Sequence, residues 1–271
     1  MKLKKTHLKS KPKFLENKHV KFIFEFGYRR GFNFWIVGGA IRDYLIGKSV
    51  SDIDFVYDIE PTKLFELLEI ENIQVEKQFI HYGVLIIKLD NKRYFLTSLR
   101  EDYANDGRHS KVKFTELLAV DVKRRDLTIN SLYLNQKLEI IDFYNGIEDI
   151  KNCRLQFIGS IQEKCFEDHL RILRYCRFCS IFKNPIIPTN YIKFLKNNSN
   201  LVKKLSLNRV ISELKKIFKN RFYTNSISLF KLMNLEEYLL NDILNKNKNK
   251  NKNNDLLKYL LQKNINYTTF N

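Results

Sequence analysis

The chain has 271 residues, long enough to bury a sizeable core in two domains or in one domain with a helical extension. Its 48 Lys and Arg against 30 Asp and Glu leave a net charge of +18, which points to a polyanionic partner, nucleic acid first, although Lys and Asn are abundant throughout. No apolar run reaches the roughly 18 residues of a membrane span and the opening MKLKKTHLKSKPK lacks an apolar signal core, so we expect no membrane partner and a soluble, cytoplasmic protein.

That opening also lacks the Arg-rich amphipathic pattern of an organellar address and reads as a disordered basic arm over residues 1–20. Residues 14–32 then read as a helix. Phe34–Val37 has the unbroken apolar character of a buried strand, and Gly38-Gly39 behind it leaves the backbone bare for a phosphate to approach. A helix starting near Ala40 would aim its N-terminal amides at that anion, and Arg42 would add a mobile positive charge. In SVSDIDF, strand alternation projects Asp52 and Asp54 together while Ile53 and Phe55 turn into the core. Two adjacent carboxylates repel unless a cation lies between them, and their hard oxygens suit Mg²⁺. An isolated Asp-x-Asp is most often a solvated strand end. The glycines and the arginine at this spacing favour a metal-bound nucleoside triphosphate instead. A helix over Pro61–Glu69 and apolar runs at Gly83–Leu89 and Arg93–Leu99 complete a mixed α/β head over residues 21–150.

In RRDLTINSLY, Arg125, Asp126 and Asn130 interrupt an apolar helical pattern, and Asp126 and Asn130, four apart, share a face. From Lys151 the spacing is helical, with turn signals gathered in KNPIIPTN at 183–190. In EDHLRILRYCRF, Asp168, Arg171 and Arg174 recur every third residue and Arg177 continues the ridge. A solvated charged stripe is the usual reading of such spacing. A carboxylate and a guanidinium set side by side also suit one nucleobase edge: cytosine and adenine present an amino donor beside a ring-nitrogen acceptor, and uracil and guanine present the opposite order. Cys165, Cys176 and Cys179 fall within this helical pattern, and with Cys153 they read as small core residues rather than as a disulfide framework or a zinc site. The tract NKNKNKNKNN, residues 245–254, is too polar to pack and reads as a linker.

The ordered set VGGAIRD, SDIDF, LREDYANDGRHSKVKF, RRDLTINSLY, YNGIEDI, EDHLRILRYCRF and KKLSLNRVISELKKIF resembles the class II tRNA nucleotidyltransferases, the CCA-adding enzymes, which share a superfamily with bacterial poly(A) polymerase. The resemblance covers residues 30–244. It implies an α+β fold: a nucleotidyltransferase-type mixed-sheet head (21–150), an all-helical base-reading neck (151–220) and a shortened helical body (221–271). It implies addition of CCA to tRNA 3′ ends from CTP and ATP, with Mg²⁺ as cofactor and pyrophosphate as leaving group. By position, Asp52 and Asp54 match the family's catalytic metal ligands, with Glu101 implied as a third acid, and Gly39 and Arg42 match its triphosphate contacts. Arg125, Asp126 and Asn130 match nucleotide and ribose contacts. Asp168 and Arg171 match the base-reading pair, Arg174 and Arg177 match further nucleotide contacts, and LREDYANDGRH matches a flexible segment tied to the change from C to A addition. A relative adding only C, only A or a poly(A) tail is the nearest alternative, and a non-catalytic RNA-binding remnant a further one. Only residues 221–271 remain for body and tail, so we expect general cationic attraction to replace part of the shaped tRNA grip.

Overall fold

Short β-branched and aromatic runs pair into ten strands in the N-terminal part of the chain. They are β1 (Lys4–His7), β2 (Phe34–Val37), β3 (Asp54–Tyr57), β4 (Gln74–Glu76), β5 (Val84–Leu89), β6 (Lys92–Ser98), β7 (Arg100–Asn105), β8 (Ser110–Phe114), β9 (Tyr133–Leu134) and β10 (Glu139–Asp142). The structure, a computed structural model, describes residues 3–105, 110–236, 238 and 239. It divides into two units, Met1–Asn152 with Gln156–Gly159, and Cys153–Leu155 with the chain from Ser160 onward. In the first unit eight strands form one mixed sheet in the order β1-β10-β9-β2-β3-β6-β5-β4, and β7 and β8 form a separate ladder. Only the β3–β6 pairing is parallel within the large sheet.

Both faces of the sheet centre are covered. One carries Phe34, Ile36, Phe55 and Tyr57 under helix α1 (Lys18–Arg29), where Phe24 meets the Phe55 ring. The helix comes so close to β2 that a Cβ on Gly27 would stand 2.8 Å from the Phe34 ring. The other face holds Val37 and Val56 in a cluster with Leu99, Val122, Tyr133, Ile141, Phe143 and Ile158. Helices α2 (Gly39–Leu45), α3 (Pro61–Ile70), α4 (Leu118–Asp121) and α5 (Gly146–Lys151) complete this unit.

The second unit is helical: α6 (Ile161–Glu167), α7 (Leu170–Cys179), α8 (Thr189–Asn197), α9 (Leu207–Lys219) and α10 (Thr224–Leu232). Helix α7 is its centre and packs on α9 and α10. Ser226 donates its hydroxyl to the Cys176 carbonyl at 2.7 Å and the Asn225 amide donates to the Phe182 carbonyl at 2.8 Å, so the start of α10 satisfies backbone acceptors at and beyond the end of α7. Cys165, Cys176 and Cys179 are buried in this unit, and burial pushes the Cys165 thiol up to about 12. No helix among the described residues is long and apolar enough to cross a membrane.

The mixed-sheet head and helical second part agree with the expected α+β class, and the local differences have physical causes. The basic arm read as disordered pairs with the sheet edge: Lys4 lies opposite Asp142 and His7 opposite Glu139 in an antiparallel ladder. The helix read over 14–32 is split, because the Asn17 side chain accepts from the amides of His19 and Val20 and starts α1 afresh after a single 3₁₀ turn at Lys13–Glu16. Thr224–Leu232 of the region read as a separate body packs on α7. The tract 245–254 and the Asp106–His109 part of LREDYANDGRH lie outside the described residues.

Candidate active site

The first unit places its sequence-identified residues around the start of β3. Asp54 is the first residue of that strand, and Asp52 precedes it in an extended segment, where it accepts from the Ser51 hydroxyl at 3.1 Å. Phe55 is fully buried behind them and Ile53 half-buried. Asp54 reaches solvent, yet it is crowded by protein. Burial first, and the neighbouring Asp52 charge second, push its carboxyl above the ordinary value, while Arg125 pulls the other way. A carboxylate whose ionisation is opposed by burial and by a neighbouring acid is a donor that a divalent cation relieves, so the residues present fit Mg²⁺.

Gly38 turns the chain from β2 into α2 with φ 70° and ψ −113°, a conformation that a side chain would strain. The seven-residue α2 then carries Arg42, which is buried rather than mobile. Its guanidinium donates to Asp43 at 2.9 Å and to the Asn130 side-chain oxygen at 2.5 Å. Asn130 in turn donates to Asp126 at 3.3 Å, so α2 and the RRDLTIN segment share one buried polar chain. The helix read there does not form: two single 3₁₀ turns, Val122–Arg124 and Thr128–Asn130, flank an extended stretch. Asp126 and Asn130 nevertheless meet, because the second turn folds Asn130 back over Asp126. The backbone is fixed by Leu127, whose amide donates to the Asp126 carboxylate at 2.8 Å.

Arg125 is held by a residue that sequence reasoning missed. Asp121, fully buried, accepts from Arg125 Nη2 at 2.7 Å, from Arg124 Nε at 2.8 Å and from the Tyr133 hydroxyl at 2.8 Å. Burial alone would raise the Asp121 carboxyl. The Arg125 and Arg124 charges outweigh it and hold the group far below the usual carboxylate range. The signal was present as an acid four residues before Arg125. Glu101, expected as a third acid, instead stands exposed on β7 opposite Lys113. Among the described residues no third carboxylate, His or Cys joins Asp52 and Asp54 in a metal-binding group.

The second unit, by itself, holds the EDHLRILRYCRF residues. The ridge read as one helix is broken at Asp168, whose side chain accepts from the amide of Leu170, the first residue of α7, at 3.1 Å. Both Asp168 oxygens also accept from Arg209 Nη2 of α9, at 2.9 and 3.1 Å. Arg171 donates to the Lys164 carbonyl at 3.0 Å and pairs with Glu167. Arg174 lies over the Phe178 ring, 5.6 Å from its centroid. Arg177 is committed to the buried Glu213 of α9 at 2.8 Å. The expected ridge therefore splits into a pair near Asp168 and a helix-to-helix tie at Arg177.

A mixed-sheet head with paired aspartates at the start of one strand defines the nucleotidyltransferase class. Residues 34–156 match the family described as the poly(A) polymerase head domain. Human mitochondrial CCA tRNA nucleotidyltransferase 1 is 34% identical over 207 residues, 75% of this chain and 48% of that protein. The crystal structure of the Bacillus stearothermophilus CCA-adding enzyme in complex with CTP superposes with a TM-score of 0.71 at 25% identity, covering 82% of this chain and 52% of that one. A tRNA nucleotidyltransferase complexed with a primer tRNA and an incoming ATP analog gives 0.66 at 25% identity, covering 81% and 62%. The chain belongs to this family, that of the class II CCA-adding enzymes and poly(A) polymerases. It spans about half the length of the curated relatives it matches.

Proposed function

We propose that the chain is a template-independent tRNA nucleotidyltransferase that adds CCA to tRNA 3′ ends from CTP and ATP. One observation carries the reading: Asp52 and Asp54 crowd each other at the start of β3, in a unit whose Arg125 and Arg42 are each fixed by an acidic partner. In this reading residues 21–150 are the catalytic head and 151–220 read the incoming base. The terminal hydroxyl of tRNA attacks the α-phosphorus in line, and the bond to pyrophosphate breaks. Asp52 and Asp54 would hold Mg²⁺, which when bound neutralises developing charge and lowers the pKa of the attacking hydroxyl. Gly39, Arg42 and Arg125 face the triphosphate, Asp126 and Asn130 the ribose, and Asp168 with Arg171 the base, with Arg174 beside them. Base reading then exchanges the Arg209 and Glu167 partners of Asp168 and Arg171 for a cytosine or adenine edge. In this reading the protein acts in the cytoplasm.

A second reading is a non-catalytic RNA-binding relative, which would keep the cationic surface without the transfer. Single-turnover extension separates the two. Transfer RNAs ending before CCA, after C and after CC are each offered one labelled triphosphate with Mg²⁺. The proposal expects two C, one A and arrest. A-only or unlimited A addition selects a partial-specificity relative, and binding without extension selects the second reading. Asp54→Ala is expected to remove transfer and to leave tRNA affinity within about twofold, because the metal is needed for the chemistry and not for the general phosphate contacts.

A further inference from the structure

Beside Asp52 and Asp54 the first unit opens into a cleft of about 1070 Å³. Its walls come from three places: the turn at Lys13–Asn17, the stretch from Tyr44 to Asp54, and Lys92–Phe95 at the start of β6. Three exposed lysines, Lys13, Lys48 and Lys92, line it, and none has an ion-pair partner among the described residues. Apart from the aspartate pair the lining has no acid. Its aromatic residues include Phe14 and Tyr44, set edge to face at 6.0 Å, and Phe95, which is 44% exposed.

Phe95 has a special place. Phe55 of β3 pairs with Leu96 of β6 in parallel register, so one step back sets Phe95 beside Asp54. Alternation puts Phe55 and Leu96, both fully buried, on one face and Asp54 and Phe95 on the other. An exposed aromatic ring thus flanks the reacting carboxylates at a position where a soluble sheet gains nothing by exposing it. Cations with interleaved aromatic rings are the chemistry of a single-stranded nucleic-acid groove: the cations follow phosphates, and the rings take the π-faces of bases.

We propose that this cleft holds the single-stranded 3′ end of the RNA primer, with the ring of Phe95 as the stacking platform for a base next to Asp54 and with Lys13, Lys48 and Lys92 as phosphate contacts. The identity of the strand as a primer rests on the nucleotidyl-transfer reading. The binding of single-stranded RNA does not.

The test is fluorescence anisotropy of a 5′-labelled RNA hexamer with the full chain, without triphosphate. Phe95→Ala is expected to weaken binding about tenfold, the ordinary worth of one base–aromatic stack. Phe95→Trp should retain affinity and Phe95→Leu should not, a pattern that stacking produces and filling of space does not. Lys13→Ala with Lys92→Ala should flatten the log–log salt slope by about 1.4, two single-strand phosphate contacts. Tyr28→Ala, an exposed aromatic outside this cleft, is the control and should bind as wild type. Equal affinity for Phe95→Ala, Tyr28→Ala and wild type overturns the proposal, as does an unchanged salt slope in the lysine double variant. Extension assays on the same preparations keep the two readings apart. Extension with Phe95-independent binding removes the groove and keeps the transfer, and Phe95-dependent binding without extension does the reverse.

Discussion

Asp121 shows how one buried charge sets the electrostatics of the head. It has no catalytic chemistry of its own, yet it accepts from Arg124, Arg125 and Tyr133 and also takes the Arg100 amide at 3.3 Å. Asp121→Asn removes the counter-charge and leaves guanidinium groups half-buried beside a neutral amide. Breaking a buried pair from one side costs about 3–5 kcal/mol, to be read as a lowered midpoint in urea unfolding. The pH dependence follows from the same contacts. The folded-state carboxyl is depressed, so its contribution is fully present above the unfolded carboxylate range near pH 4 and is lost progressively as pH falls below that toward the folded value. Wild type should therefore lose stability steeply below about pH 4, and Asp121→Asn should show a shallower loss there, as measured by unfolding midpoints between pH 2 and 7. Asp54 carries the opposite sign. Its carboxyl is raised, so its ionised form costs stability above the unfolded pKa, and Asp54→Asn should raise Tm at pH 7 while it removes transfer.

At the scale of elements, exposure decides which contacts matter. Ion pairs link α9 to the Asp168–Arg177 stretch, among them Arg209–Asp168 and Arg177–Glu213. Arg209–Asp168 is about a third exposed, and Arg177–Glu213 has Glu213 almost fully buried. Arg209→Ala should therefore change stability by less than about 1 kcal/mol, whereas Glu213→Ala removes a buried carboxylate that pairs with both Arg177 and Lys216 and should cost about 3 kcal/mol, both measurable in one urea series. Gly146 gives a second contrast. A Cβ there would stand 2.2 Å from the Thr128 carbonyl oxygen, a backbone atom just before Asn130, so Gly146→Ala should cost about 2 kcal/mol or more and disturb nucleotide affinity with it. The sequence shows these elements unevenly. The strand Phe34–Val37, the helix from Pro61 and the strands ending at Leu89 and Ser98 are legible because periodicity and flanking turn residues agree. The break at Asp168 is not, because no Gly or Pro marks it and the Asp168 side chain instead accepts from the amide of Leu170, two residues on. The buried state of Arg42 is hidden for a similar reason: Asn130 lies 88 residues away and only the folded sheet brings it near. Arg125 and Asp126 are legible as a motif, but the tertiary partners that fix them are legible only where they lie one helical turn away, as Asp121 does.

At the scale of the whole molecule, a net charge of +18 accompanies a chain that spans about half the length of the curated relatives it matches. Shape-specific contacts need ordered surface that matches the RNA. Coulomb attraction needs only cations within reach of phosphates, so binding that leans on an excess of Lys and Arg is sensitive to salt. Each neutralised phosphate contributes about −0.9 to the slope of log K against log salt on B-form duplex DNA and about −0.7 on single strands, which bracket the value for tRNA. Engagement of the three cleft lysines and a similar number of contacts elsewhere gives an expected slope of about −4 to −5 for tRNA between about 50 and 200 mM salt. Filter binding across that range measures it. A slope shallower than about −2 would mean that few cations face phosphate and that the surplus charge is compositional, as the spread of Lys and Asn along the chain would then explain. A steep slope that Lys13→Ala with Lys92→Ala reduces would place part of that charge in the cleft beside Asp54, where it also brings the primer end to the reacting carboxylates.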